Sequence, residues 1–156
     1  MAVVLMLVAC GKSPQEQAAL LAEQASTLCE EGQFDKARAL IDSLRRTYPD
    51  NVEARKTALR LHQQVELKAA QEELLRADSL LVLANRELEA LQKQVDAHKA
   101  TLTATADELT LLTMTRMRRD SIRTLYETLG AKIRYIRKKR KNRSHESVKN
   151  APLTLK

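Results

Sequence analysis

Apolar residues return every third or fourth position from the start of the polar chain: Ala18, Leu21, Ala22, Ala25 and Leu28. That spacing lines one face of a helix. Ser13-Pro14-Gln15-Glu16 supplies its beginning. Ser13 can cap, Pro14 suits a first turn whose N–H has no partner, and Glu16 completes a capping box. Gly32 is placed to end the helix. A second face, Phe34, Ala37, Leu40, Ile41 and Leu44, predicts a helix over residues 34–48 that stops at Pro49. Asp50-Asn51-Val52-Glu53 then offers a fresh cap for a third helix.

Between Asn51 and Leu129 there is neither Gly nor Pro. A seven-residue stripe crosses this span through Leu67, Leu74, Leu81, Leu88, Val95, Leu102 and Leu109. Three residues after each come Ala70, Ala77, Ala84, Leu91, His98, Thr105 and Leu112. Apolar residues at an average spacing of 3.5 form the seam of a coiled coil, and this seam is regular through Leu91. At His98 and Thr105 it turns polar. Around Leu80-Leu81-Val82-Leu83 the apolar face broadens, as if a second helix packs there. Two geometries satisfy the pattern. One is a single helix continuing to about residue 140, whose stripe calls for a second chain. The other is an antiparallel hairpin turning within Thr101-Leu102-Thr103-Ala104-Thr105, where clustered β-branched Thr lowers helix propensity. The absence of a true breaker favours the single helix. Asp42 with Arg46 and Glu89 with Lys93 stand four apart, at ion-pair spacing.

The last helical stretch carries Ile122, Leu125, Tyr126, Leu129, Ile133 and Ile136 at three- and four-residue spacing, with Gly130 as a place to kink. Lys132, Arg134, Arg137, Lys138, Lys139, Arg140, Lys141 and Arg143 then follow without one acid among them.

Composition agrees with the periodicity. The chain of 156 residues has three Gly, three Pro, one Phe, three Tyr and no Trp. Sheets draw on more β-branched and aromatic residues, so an all-α fold is expected. The formal net charge of +7 conceals a split: residues 1–109 hold 13 Lys/Arg against 17 Asp/Glu, and residues 110–156 hold 14 against 3. An imbalance of this size points the basic end toward an anionic partner such as lipid headgroups, peptidoglycan or, less favoured, nucleic acid. As a solvated helix end it also stands without any partner. His62, His98 and His145 lie far apart, and neither His-Glu-x-x-His nor Cys-x-x-Cys occurs. No glycine-rich loop follows a strand. The chain therefore reads as non-catalytic, with no metal and no cofactor.

Two resemblances add to this reading. Gly32 at the inter-helix turn, Phe34 in an aromatic position, Ala37 in a small position and Pro49 twelve residues on resemble one tetratricopeptide repeat. The match does not recur one period later, so a single hairpin is implied, and the next helix must cover it. Leu7-Val8-Ala9-Cys10, after the apolar run Ala2 to Val8, resembles the lipobox of bacterial lipoproteins. The resemblance implies that residues 1–9 are a signal peptide cut short at its start, and that Cys10 carries a covalent diacylglyceryl group. Residues 10–12 would then be anchor and tether. Gly11 in place of Asp implies the outer membrane, facing the periplasm. With Cys10 acylated, Cys29 has no disulfide partner and reads as a small buried hydrophobe.

The expected organisation is a tetratricopeptide-repeat-like hairpin over 13–50, a long coiled-coil helix over 51–112, a basic amphipathic helix over 113–143 and a disordered tail over 144–156. The function expected from the two resemblances is a lipid-anchored scaffold or adaptor in the cell envelope, meeting a protein partner or itself through the seam. A structural spacer is the first alternative, ending in Lys156 as the peptidoglycan-linked murein lipoproteins end in Lys. A cytosolic, nucleic-acid-binding coiled-coil protein is the second.

Overall fold

The computed structural model describes residues 13–149, all-helical apart from short connections: α1 (Pro14–Glu30), α2 (Phe34–Thr47), α3 (Val52–Ala100) and α4 (Ala106–Lys149). The all-α expectation holds. Residues 1–12 and 150–156, with the lipobox, Cys10 and Lys156, lie outside the described residues. The chain divides into two compact units, the first ending at Glu66 and the second beginning at Leu67.

In the first unit, α1 begins on the capping box its sequence announces. The Ser13 hydroxyl accepts from the Glu16 N–H at 3.2 Å, and the Glu16 carboxylate accepts from the Ser13 N–H at 2.7 Å. The helix ends at Gly32, whose φ of 75° lies in the left-handed region. There the Gln33 N–H reaches back to the Leu28 carbonyl and the Gly32 N–H to that of Cys29. Glycine, lacking a Cβ, adopts this paired closure without strain. The Asn51 side chain caps α3, accepting from the Ala54 N–H at 3.0 Å.

The core of this unit is built from small residues at close-approach positions with larger ones between them. Ala25, Ala37, Ile41, Ala58 and Val65 are fully buried, and Leu44 and Cys29 nearly so. Phe34, Leu28, Leu40 and Tyr48 pack against them. The first turns of α3 supply Ala54, Ala58, Leu61 and Val65, so the third helix covers the hairpin that could not bury its own face. Arg38 ties α2 to α3. Its Nε donates to Glu66 at 2.8 Å and its Nη1 to Asp35 at 2.7 Å. The Glu66 bond, the largest influence, holds the guanidinium above its ordinary pKa. The i,i+4 pair Glu89–Lys93 forms at 2.8 Å, whereas Asp42 takes Arg45, one residue nearer than Arg46, at 3.6 Å.

In the second unit the antiparallel hairpin turning within residues 101–105 stands in place of the favoured single helix. α3 stops at Ala100 and α4 starts at Ala106, so the break falls at residues 101–105, not at 112, and the chain reverses there. Leu102 takes φ 60° and closes α3 as Gly32 closes α1. The Thr103 N–H bonds to the His98 carbonyl at 2.8 Å, and the Leu102 N–H to that of Lys99 at 3.1 Å. α4 passes through Gly130 as continuous helix and extends to Lys149, where a disordered tail from Ser144 was expected.

A leucine in the left-handed region costs about 1–2 kcal/mol. Leu102 is 95% exposed, so it contributes no packing in return. Leu102→Gly should therefore stabilise the protein by about 1 kcal/mol, read as a rise in the urea midpoint with unchanged slope.

Candidate functional site

Among its described residues the second unit offers open surface with shallow depressions, and its geometry begins at the reversal. Thr105 caps α4: its hydroxyl accepts from the Glu108 N–H at 3.2 Å, and its own N–H donates to Glu108 Oε2 at 3.0 Å. The other carboxylate oxygen, Oε1, lies 2.6 Å from His98 Nδ1 on α3. One side chain thus caps a helix and ties it to its neighbour. His98, expected as a tolerated polar layer in a seam, works as the α3 half of this clasp. The backbone N–H of Thr105, more than the His98 contact, holds the Glu108 carboxyl below its ordinary range.

Further along, Gln92 meets Arg116 and Glu87 meets Arg118, the latter at 3.4 Å. These pairs fix the antiparallel register, and the apolar contacts agree with it. Ala70 and Ala77 of α3 pack with Leu129 and Ile133 of α4, flanked by Leu67, Leu74 and Tyr126. Ala84, Val95 and Leu112 are buried as well. Small residues on α3 receive large ones from α4, which lets the two axes approach closely.

The predicted seam is consequently used within the chain. Val95 is fully buried, Leu67 and Leu74 join the core, and Leu81, Leu88 and Leu91 are half-buried. Leu102 and Leu109 fall at the reversal and are exposed. Of the repeat-like signature, Gly32 makes the turn, Ala37 is fully buried and Phe34 half-buried, and Pro49 follows the last turn of α2.

The basic stretch lies on α4. Ile133 and Ile136 turn inward, at 6% and 8% exposure, and leave the cations outside. Lys132, Arg134, Arg137, Lys138, Lys139, Arg140 and Lys141 are exposed, and Arg143 is half-buried. Lys139 Nζ sits 5.4 Å from the centre of the Tyr135 ring, within cation–π range. The surface here is shallow, a depression lined by Tyr135, Lys138, Lys139, Asn142 and Arg143. Its chemistry is positive charge on an amphipathic helix with one exposed aromatic face, suited to phosphate or carboxylate groups presented on a surface.

Among the described residues no group of three His, Cys, Asp or Glu could hold a metal ion. Cys29 is a buried free thiol in the first core. No helix among the described residues is long and apolar enough to cross a membrane. The chain matches no family model, no curated protein and no solved structure.

Glu108 makes the clasp sensitive to acid. A carboxyl whose folded pKa is depressed stabilises the fold above its unfolded value, and that contribution is lost as pH falls through the depressed one. Glu108→Gln should therefore be less stable than wild type near neutrality. The difference should shrink below the ordinary glutamate value of 4.5, which parallel urea titrations at pH 7 and pH 3.5 would measure.

Proposed function

We propose that this protein is a lipid-anchored, non-catalytic helical scaffold of the bacterial cell envelope. The observation that carries this reading is the order Leu7-Val8-Ala9-Cys10, standing three residues ahead of the Ser13 that caps α1. Cleavage before Cys10 and acylation of its thiol join a membrane anchor to a folded unit through Gly11 and Lys12 alone. The lipid, each buried CH₂ of which contributes about 0.8 kcal/mol, holds the chain at the bilayer surface. The helical hairpin closest to the anchor resembles a tetratricopeptide repeat, a fold that commonly presents a surface to other proteins. Gly11 supports the outer membrane as the destination, with the helices in the periplasm.

Intact mass and membrane fractionation of the native protein beside Cys10→Ala test the anchor. The native form should lose residues 1–9, gain acyl mass and sediment with membranes, while the variant stays soluble. Two soluble forms that both retain Met1 would sink the proposal and bring nucleic-acid binding by the basic helix forward.

The basic run Lys132 to Arg143 of α4, which contains no acidic residue, favours a second reading, in which the helical region also spaces the anchor from an anionic surface. Clusters of four to eight Lys/Arg on an amphipathic helix attract anionic lipid at about 1 kcal/mol per charge. Replacing Arg137, Lys138 and Arg140 together by Gln should then weaken binding to phosphatidylglycerol vesicles roughly 100-fold. In the Cys10→Ala background the acyl chain makes no contribution to that measurement. Vesicle affinity that ignores both the triple substitution and added salt would leave the basic run as a solvated helix end.

A further inference from the structure

The second unit is a layer two helices deep. Each helix buries one stripe against the other, and the large apolar residues beside those stripes stay in water. Leu75, Val82, Leu109 and Met117 are exposed on other sides, and five more share one side. The Glu87–Arg118 pair marks one side of the hairpin, since the Gln92–Arg116 pair occupies the other. Residues four and seven positions away on a helix share its face. Counting from Glu87 gives Leu83, Leu80 and Leu91 on α3. Counting from Arg118 gives Met114, Leu111 and Leu125 on α4. Five of these are between 48% and 61% exposed: Leu80 48%, Leu83 59%, Leu111 56%, Met114 61% and Leu125 48%. Leu91 is half-buried between them and the core.

From this arrangement we infer that the Glu87–Arg118 side of the hairpin docks a second copy of the chain, the two hairpins forming an antiparallel four-helix bundle. Three features identify the occupant. The first is area. The five residues expose roughly 500 Å² per copy, so pairing two such faces removes about 1,000 Å² from apolar residues alone, the threshold for a specific interface before any polar rim is counted. A patch of that size is also at the upper end of what monomers leave in water.

The second feature is self-complementary charge. A two-fold axis parallel to the helices lays each α3 against the partner's α4. Glu87 then faces the partner's Arg118 while keeping its own, and the central polar layer becomes a closed four-charge ring. The third feature is the matching apolar layers on either side of that ring. Leu80 comes level with the partner's Leu125 and Leu91 with the partner's Met114, with Leu83 about one turn from the ring. Every neighbouring helix pair in this bundle is antiparallel, the arrangement that short-looped hairpins build. The interface shares only Leu91 with the Leu67–Leu109 seam, and it does not depend on the lipid anchor.

Sedimentation velocity of the full chain carrying Cys10→Ala tests the inference, because that substitution removes acylation and leaves the hairpin untouched. The mass should be twice the 17.6 kDa of one chain at micromolar concentration. Leu83→Glu with Met114→Glu should return it to a single chain with its helical circular dichroism intact, since both residues already face water. Leu75→Glu is the control: Leu75 is 69% exposed, lies outside this face, and should leave the dimer unchanged. A wild-type chain that stays monomeric at hundreds of micromolar overturns the inference and leaves the face to a helix of another protein. A dimer that survives the double substitution overturns it equally.

Discussion

The Glu108 carboxylate carries the architecture of the second unit. One oxygen accepts from the Thr105 N–H and so completes the first turn of α4. The other sits against His98 on the last turns of α3. Between them the five residues 101–105 reverse the chain with a left-handed Leu102 and no glycine. The apolar stripe of α3 packs on α4 through its own core, and the clasp holds closed the reversal that brings the two helices together. The stripe thus finds a partner in its own chain. The residues that would have sought another molecule as a coiled-coil seam are covered before they can.

The same reversal sets the limits of that unit. Two helices folded on each other bury one stripe apiece, and the alanine line Ala70, Ala77, Ala84 brings them close but makes the shared core thin. The first unit escapes this limit because three helical segments meet there, and its central residues Ala25, Ile41, Ala58 and Val65 reach zero exposure. The second unit leaves leucines and methionines on its flank. The Glu87–Arg118 pair sits at the same edge as that apolar surface.

Much of this was legible in the residue order. The Ser13–Glu16 capping box, the Gly32 closure, the Asn51 cap and the inward face of α2 all follow from local rules acting over three or four residues, and each stands as those rules require. The hairpin was harder. Thr105-Ala106-Asp107-Glu108 is itself a capping box, as plain as the one at Ser13, and it marks the true start of α4. It was hidden because the seven-residue pattern runs straight through it: Leu102 and Leu109 keep the period although both are exposed at the turn. Leu102 also concealed the stop, since a left-handed residue without glycine leaves no compositional trace. The basic cluster was visible as charge, while its division into outward cations and inward Ile133 and Ile136 follows only from where α3 lies.

The sequence by itself determined that this chain is helical, where three of the four described helices begin or end, which residues are apolar enough to form a core, and that its far end is strongly basic. Those properties belong to single residues and their near neighbours, so they survive without knowledge of the fold. Only the tertiary structure decided which molecule the long apolar stripe serves. A 3.5-residue period states that a helix has a sticky face and is silent on whether the complement comes from the same chain or another. That choice turns on a contact between positions ten apart across a reversal, the His98–Glu108 clasp, and on close approach at alanines that periodicity counts as equal to leucines. Such contacts are properties of distance in space, which spacing along the chain does not encode.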